Sequence, residues 1–303
     1  MVFSAEALFV LPWFLVIKFS PNLLTLYHTT PASSIFYPLL FGLLWGFAQV
    51  TFGLGIIAMG MALAFAVVMG LACLFGSLIP LLVLHPADFL HLRGLVLLAS
   101  MPLLFWGLAS CSSAGSRREK ETETGNIKRN TTLSFAKGLA ICIFTGMFGA
   151  NLNLGFAFSG DIIPRAQALG ANTVTATYAV WALVLGAGFV PNLAYCGYLL
   201  SRNHTWRLFR EEGWIKEAML SSAMAFLWLA GIVCYGMGAM LSGKYGTSVG
   251  FALFMAMTIL VSNLLGLLTG EWKGASANTM KRPAIGVGAV LLAIFILNLG
   301  GIL

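Results

Sequence analysis

Uncharged polar side chains within long apolar segments are the groups of this sequence that could do chemistry. The segment FGLLWGFAQVTFG at 41–53 carries Trp45 and Gln49 four residues apart, so the two share one face of a helix. An amide can bond hydroxyl groups, and an indole can cover an apolar ring face. In a membrane helix such groups need a partner or a water-filled cavity. They therefore either line a cavity or join helices, with Gly42 and Gly46 allowing close packing.

A second group of amides lies in the segment FTGMFGANLNLGFAFSGD at 144–161. Asn151 and Asn153 differ by about 200° around a regular helix, so they cannot both face one cavity unless the helix is interrupted. The glycines around them favour local unwinding, as in the broken helices of transporters. The alternative is that one of them, or both, bonds across a helix interface.

The next apolar segment carries Tyr178 and Trp181, three residues apart, and then Pro191 and Asn192. Proline removes a backbone hydrogen bond, so Asn192 either bonds the freed carbonyl or meets a ligand. Aromatic residues near the end of a span are also typical of an interfacial belt. Weaker candidates of the same kind are Trp228, Tyr235 and Asn263. The predicted substrate-binding residues are Trp45, Gln49, Asn151, Asn153, Tyr178, Trp181 and Asn192.

Ionisable residues are scarcer still in these segments. A carrier coupled to protons needs a titratable group that both sides of the membrane can reach. The best candidates for proton coupling are Glu6, near the start of the first segment, and Asp161, at the end of the fifth. Neither is near a predicted midplane, and an aspartate at a helix end is more often a solvated residue.

The composition indicates that membrane helices must position these groups. The chain has 303 residues, of which 59% are hydrophobic and only 9% charged. Soluble domains carry about 25% charged residues. A water-soluble globule, a disordered chain and a nucleic-acid-binding module are therefore excluded. The predicted fold class is all-α, a polytopic bundle of about nine transmembrane helices.

Nine apolar segments are long enough to span a membrane, which takes about 20 residues. A tight turn at Gly53, Gly55 and Gly60 is expected to join the second span to the third. The charged segment 112–137 is interpreted as a linker between a first membrane repeat at 1–111 and a second at 138–303. The predicted spans are 2–20, 36–54, 58–84, 91–111, 138–160, 173–200, 217–241, 247–269 and 283–302.

The basic residues set the orientation of these spans. With the loops assigned alternately to the two sides, thirteen of the 17 lysine and arginine residues fall on one side. Basic residues concentrate in cytoplasmic loops. The N-terminus of the chain is therefore predicted to be cytoplasmic and the C-terminus outside, in the plasma membrane.

Signatures of other functions do not occur in the sequence. It has no GxxxxGK[ST] or HExxH motif, which argues against an ATP-driven pump and a metalloprotease, and no Ser/His, Ser/Lys or paired Asp stands inside the spans as an intramembrane hydrolase would need. The five cysteines are distributed one to a helix without a CxxC pair and are interpreted as packing residues. We therefore predict no enzyme activity, no cofactor, no metal and no nucleic-acid partner.

Several stretches resemble the L-rhamnose/proton symporter family of bacterial inner membranes, within the drug/metabolite transporter superfamily. They are LPW at 11–13, FGLLWGFAQVTFGLGI from Phe41, GFVPNLAYCGYLL from Gly188 and LLGLLTGEWKGA at 264–275. The FGxxWG and GEWKGA spacings are fairly specific to the family, whereas the other glycine-rich apolar stretches are not. The resemblance extends over nearly the whole chain.

The resemblance implies ten helices in two inverted five-helix repeats, with a substrate site between the repeats. It also implies that this sequence begins within the second helix, so the first repeat would have four helices. A misassigned start codon or a truncated product would explain the missing helix.

The function that the resemblance implies is uptake of L-rhamnose or a related sugar by proton symport, through alternating access. The expected partners are a small neutral sugar, a proton and membrane lipid, and a homodimer is left open. Two alternatives remain at this point. One is an exporter of another small metabolite, and the other is a truncated remnant that transports nothing.

Overall fold

The structure is a computed structural model, and it describes most of the chain between residues 1 and 302. Of the predicted linker at 112–137, the greater part lies outside the described residues. The fourth predicted span, 91–111, is described only in part and is helical at 94–96 and 98–100. The residues not described are 60, 89–93, 97, 101, 104–105, 108, 111–112, 115–116, 118–134, 212, 269–275 and 303.

The described residues form helices joined by short connections, and no strand occurs among them. Short 3₁₀ helices lie at Pro86–Asp88, Thr205–Arg210 and Gly243–Tyr245. The helices are α1 (Val2–Phe19), α2 (Leu23–Thr29), α3 (Ala32–Met59), α4 (Met61–Leu84), α5 (Phe135–Gly149), α6 (Asn151–Ala157), α7 (Ile162–Ala168), α8 (Thr173–Arg202), α9 (Trp214–Leu241), α10 (Gly246–Leu268) and α11 (Ala277–Ile302).

Six helical segments in the described part of the chain are long and apolar enough to cross a membrane. The prediction of an all-helical, polytopic membrane protein is confirmed. Helices α10 and α11, of 23 and 26 residues, occupy the eighth and ninth predicted positions. The total of nine spans stays a prediction. The six segments are Val2–Phe19, Ala32–Met59, Val67–Leu84, Ala136–Ala168, Thr173–Arg202 and Trp214–Leu241.

The predicted turn at Gly53 and Gly55 is wrong. Helix α3 continues through both glycines and ends at Met59. A glycine within a helix costs about 1 kcal/mol relative to alanine, which an apolar helix of 28 residues can tolerate. Gly60, the third glycine of the predicted turn, lies outside the described residues.

Helix α1 contains a π-helical turn at Glu6–Val10, just before Pro12. The backbone N–H of Leu11 donates to the carbonyl of Glu6, five residues earlier. Such single π turns are rare and often occur at functional sites. The candidate proton residue Glu6 therefore begins the one irregular turn of α1.

The chain forms two compact units, each built from two stretches of sequence. Unit 1 comprises Met1–Val50 and Asn151–Thr247, and unit 2 comprises Thr51–Ala150 and Ser248–Leu303. The predicted repeats, at 1–111 and 138–303, describe sequence symmetry rather than spatial clustering and stay a prediction.

Unit 2 is held by apolar packing of the end of α3 with α4 and α5. Met59, Val68 and Cys142 belong to one buried cluster. Within the same unit the hydroxyl of Thr145 donates to that of Thr51 at 2.7 Å. None of the predicted site residues belongs to this unit.

Candidate substrate and proton sites

Every predicted substrate-binding or proton-coupling residue lies in unit 1, and of the weaker candidates only Asn263 lies in unit 2. Helix α8 carries three of them and is positioned by a capping box at its start. The side chain of Asn172 accepts from the backbone N–H groups of Val174 and Thr175, and Thr175 returns a bond to the backbone N–H of Asn172. Such boxes satisfy the free N–H groups of the first helical turn. The start of α8 is therefore defined by local sequence.

Four buried side chains from three helices form what we call the aromatic–amide cluster: Asn153, Phe156, Trp181 and Tyr235. The rings of Phe156 and Trp181 are parallel, with centroids 4.7 Å apart and an interplanar angle of 3°. The Tyr235 ring is tilted against both, at 6.0 and 6.1 Å. Aromatic pairs at these distances are stabilised beyond their buried area.

The amide of Asn153 is the polar centre of the aromatic–amide cluster, and its side chain is fully buried. Its Nδ2 donates to the backbone carbonyl of Thr247 at 2.9 Å. The hydroxyl of Tyr235 donates to its Oδ1 through a short hydrogen bond. A buried amide needs such partners, so in this conformation Asn153 joins helices, as the packing alternative expected.

Trp181 contributes a hydrogen-bond donor to the same cluster. The residue is 1% exposed, and its indole Nε1 has no hydrogen-bond partner in the described part of the chain. The indole edge lies over Gly236 of α9, where an added Cβ would stand 2.6 Å from Nε1. A buried donor without an acceptor costs about 1–3 kcal/mol. An incoming hydroxyl group would relieve this cost.

Further along α8, its backbone contacts that of α3 in what we call the glycine seam: Gly42, Gly46, Val184 and Gly188. A Cβ added to Gly42 would overlap the carbonyl oxygen of Val184, and one added to Gly46 would stand 2.5 Å from that of Gly188. Small residues allow helix backbones to approach this closely. The small-xxx-small pair of α3 thus serves packing.

Trp45 and Asn192 flank the glycine seam. Trp45 is buried, and its ring stacks on Trp228 of α9 with centroids 6.0 Å apart. The Asn192 Nδ2 donates to the carbonyl of Gly188 at 2.9 Å and lies 3.4 Å from that of Gly46. Pro191 has no N–H to bond the carbonyl of Ala187, four residues earlier. The Asn192 amide does not bond that carbonyl but the next one along the chain, that of Gly188.

The remaining predicted substrate residues are not part of the aromatic–amide cluster. Gln49 is exposed although it lies one turn from the buried Trp45. Tyr178 packs edge-on against the ring of Phe19, at 6.1 Å, and not against Trp181. Asn151 is 7% exposed at the break at Ala150, where α5 ends and α6 begins. This break precedes both asparagines, which lie together in α6, so it does not change the angle between Asn151 and Asn153.

The two candidate proton residues have different surroundings. The half-buried Glu6 accepts from the hydroxyl of Ser222 on α9, with 2.9 Å between the two oxygens. The same hydroxyl lies 2.9 Å from the carbonyl of Ala218. The side chain of Asp161 is exposed, and its backbone N–H donates to Ser34 at 3.4 Å.

Sequence reasoning missed Phe156 and Ser222 and ranked Tyr235 too low. A usable signal existed for two of them. The buried face of α9 recurs at Ala225, Leu229 and later positions three or four residues apart, and Ser222 and Tyr235 fall on that stripe. Phe156 had no such signal, because one more phenylalanine in an apolar segment is unremarkable.

Long apolar helices with buried amides and indoles inside them define the class, a polytopic helical membrane protein. The family model described as L-rhamnose-proton symport protein (RhaT) matches residues 2–302. The chain belongs to this family, whose named members are transporters and not enzymes.

Curated relatives agree with the family match. The chain is 23% identical to the L-rhamnose-proton symporters of Pectobacterium atrosepticum and Klebsiella pneumoniae, and 24% identical to that of Yersinia pestis. Each alignment covers 96% of this chain and 86% of the relative. No solved structure matches the chain significantly.

Proposed function

We propose that this protein takes up L-rhamnose or a related sugar together with protons, by alternating access. The observation that carries the proposal is the aromatic–amide cluster of unit 1, with a buried indole N–H that lacks an acceptor, in a chain of the L-rhamnose-proton symport family. A neutral sugar needs hydroxyl partners and a flat apolar surface, and it needs no charged partner.

In the proposed bound state, the sugar separates the groups that contact one another in the cluster. A hydroxyl accepts from Nε1 of Trp181, and the amide of Asn153 exchanges its bond to Tyr235 for a second hydroxyl. The apolar face of the sugar, including the methyl group of a deoxysugar, rests on the ring of Phe156.

The other predicted residues form the proposed path to the cluster. Gln49 is exposed and carries an amide, so it suits a water-filled entrance. Trp45 and Asn192 flank the glycine seam between α3 and α8, and Asn151 lies at the break before α6. Tyr178 is assigned to the outer end of the path, beside Phe19.

Glu6 is the preferred proton carrier in this proposal, and Asp161 is the second candidate. The Ser222 hydroxyl can donate to the charged carboxylate of Glu6 or turn to the carbonyl of Ala218 when the carboxylate takes up a proton. A switch of this kind lets the site accommodate both protonation states. Asp161, exposed at the predicted outer end, would serve proton entry.

Two variants distinguish these roles in proteoliposomes. Glu6→Gln should abolish sugar accumulation driven by a proton gradient and leave sugar exchange intact, because exchange needs no net proton movement. Asp161→Asn should slow proton-driven uptake less. Full accumulation by Glu6→Gln, with loss in Asp161→Asn, would reverse the assignment.

The proposed orientation follows the positive-inside bias, with the N-terminus of this chain cytoplasmic and the C-terminus outside. By analogy with its bacterial relatives, the protein would reside in the inner (plasma) membrane. Alternation must expose the cluster first to the outside and then to the cytoplasm. A homodimer stays a prediction.

Trp181→Phe tests the proposal sharply, because it keeps a ring stacked on Phe156 and removes only the N–H donor. We expect the KM for L-rhamnose to rise about tenfold in proteoliposomes, since one neutral hydrogen bond contributes about 0.5–1.5 kcal/mol. The matched control is Trp214→Phe, on the exposed first residue of α9, which should transport like the unchanged protein.

The unchanged protein must also alkalinise the external medium when L-rhamnose is added to proteoliposomes. If the medium became alkaline but Trp181→Phe left the KM for L-rhamnose unchanged, the protein would still be a proton symporter. The aromatic–amide cluster would then not be its substrate site. If L-rhamnose caused no change in external pH, and the protein exported another metabolite or transported nothing, the proposed function itself would be contradicted.

A further inference from the structure

The connection between α8 and α9 carries two side-chain stripes. It contains the 3₁₀ helix Thr205–Arg210, in which residues three apart are eclipsed. Trp206 and Phe209 therefore lie one above the other, with ring centroids 6.3 Å apart. Arg207 and Arg210 form a parallel cationic stripe beside them. The indole N–H of Trp206 donates to the hydroxyl of Ser201 at 3.1 Å, which ties the segment to the end of α8.

Both stripes face a cavity of about 730 Å³. Its other wall is formed by Met1 and the first turn of α1, with the apolar side chains of Val2 and Ala5. The volume is typical of small-molecule sites, which span roughly 300–1,000 Å³. The residues that line it are Met1, Val2, Ala5, Trp206, Arg207, Phe209 and Arg210.

The two arginines of this cavity are available to an anion. Both are exposed, and neither forms an ion pair with an acidic residue in the described part of the chain. Glu211, next in sequence, is exposed and makes no such pair either. Arg202 of the same connection is different, because its guanidinium donates to the Tyr198 hydroxyl at 2.9 Å.

We propose that this cavity binds the headgroup of an anionic phospholipid. Arg207 and Arg210 would bond the phosphate oxygens, since the planar guanidinium matches phosphate geometry. Trp206 is 48% exposed and would lie at the headgroup level, where tryptophan is enriched. The acyl chains would follow the apolar wall made by α1. The occupant is a lipid rather than a free anion because five of the seven lining residues are aromatic or aliphatic.

Native mass spectrometry of the purified chain tests this site by titration with phosphatidylglycerol and with phosphatidylcholine. We expect the first phosphatidylglycerol to bind more tightly than phosphatidylcholine. R207Q/R210Q should weaken phosphatidylglycerol binding about 30-fold and leave phosphatidylcholine unchanged, since each arginine near an anionic surface contributes about a factor of five.

The matched control is R202Q/K216Q, which removes two charges from the helix ends that flank the connection without touching the cavity lining. It should keep the phosphatidylglycerol affinity. Equal weakening in both double variants would mean general charge attraction and would overturn the site. Equal affinity for the two lipids, or displacement of phosphatidylglycerol by excess inorganic phosphate, would overturn the anionic-lipid assignment. Circular dichroism verifies that each variant is folded.

Discussion

Helix α8 packs in two different ways along its length. Along the glycine seam its backbone touches the backbone of α3, and the space left for a side chain at Gly42 is less than a methyl group. At the aromatic–amide cluster it contacts α6 and α9 through large side chains and one amide. The seam limits the size of the side chain that a position can hold, whereas the cluster requires particular hydrogen-bond donors and acceptors.

This difference separates structural residues from functional candidates within a single helix. A substitution in the seam acts through steric overlap and should impair folding whatever its polarity. A substitution in the cluster can keep the shape and change only donors and acceptors. Loss of transport without loss of folded protein is therefore expected only at the cluster.

Gly42→Ala should have the largest effect. The added methyl group overlaps the Val184 carbonyl oxygen, and backbone cannot move aside as a flexible side chain can. We expect a loss of at least about 3 kcal/mol of stability, seen as a strong drop of folded protein in the membrane. Gly53→Ala, on the same helix with no atom within 4 Å of the added Cβ, should be neutral or slightly stabilising. Equal abundance of the two variants would contradict the close backbone contact between α3 and α8 at Gly42.

Asn153→Leu should have the next largest effect on stability. It keeps the branched shape of the side chain but removes the amide that bonds the Thr247 carbonyl and the Tyr235 hydroxyl. We expect a loss of about 2 kcal/mol in thermal unfolding together with a loss of sugar uptake.

Tyr235→Phe provides the internal comparison for Asn153→Leu. It removes one hydrogen bond and should cost about 1 kcal/mol. The double variant should lose less than the sum of the two, because no hydroxyl is then stranded. Strict additivity would show that the two side chains act independently.

The seam and the cluster also differ in how far the sequence predicts them. The Gly42 and Gly46 spacing predicts close packing directly, because i, i+4 neighbours share a face. The cluster joins Asn153 with Trp181 and Tyr235. Tyr235 lies 82 residues after Asn153 in the sequence. Local periodicity carries no information on such a pairing.

Shared helix faces were a poor guide to shared contacts. Tyr178 and Trp181 lie three residues apart, yet one packs against Phe19 and the other against Phe156. The broad faces of a buried helix meet several neighbours at once. For this reason the apolar spans could be predicted, whereas the partners of the polar residues within them could not.

Ser222→Ala should have a smaller effect, confined to proton coupling. It removes the hydroxyl that donates to the Glu6 carboxylate, so the proposed proton carrier loses its hydrogen-bond partner on α9. We expect proton-driven uptake to slow about fivefold at unchanged sugar exchange, a modest change because the site is half-buried. Ser221→Ala, the neighbouring serine, is the control. Equal slowing of exchange would make the role of Ser222 structural.

The smallest effect is expected near the start of α8, where the Tyr27 hydroxyl donates to the carbonyl of Ala179 at 2.8 Å. Tyr27 lies in the connecting helix α2, and burial raises its pKa above the ordinary value near 10. Tyr27→Phe should cost about 1 kcal/mol at neutral pH, the contribution of one hydrogen bond.

The raised pKa of Tyr27 also gives a test by pH. Above about pH 10 the unfolded chain releases this proton while the folded chain retains it, so stability falls by up to about 1.4 kcal/mol per pH unit. Below pH 10 the contribution is constant. The unfolding temperature of Tyr27→Phe should therefore decline less steeply at alkaline pH than that of the unchanged protein or of Tyr37→Phe, whose side chain is 44% exposed. Identical alkaline slopes in all three would show that Tyr27 is not buried against α8 in the folded chain.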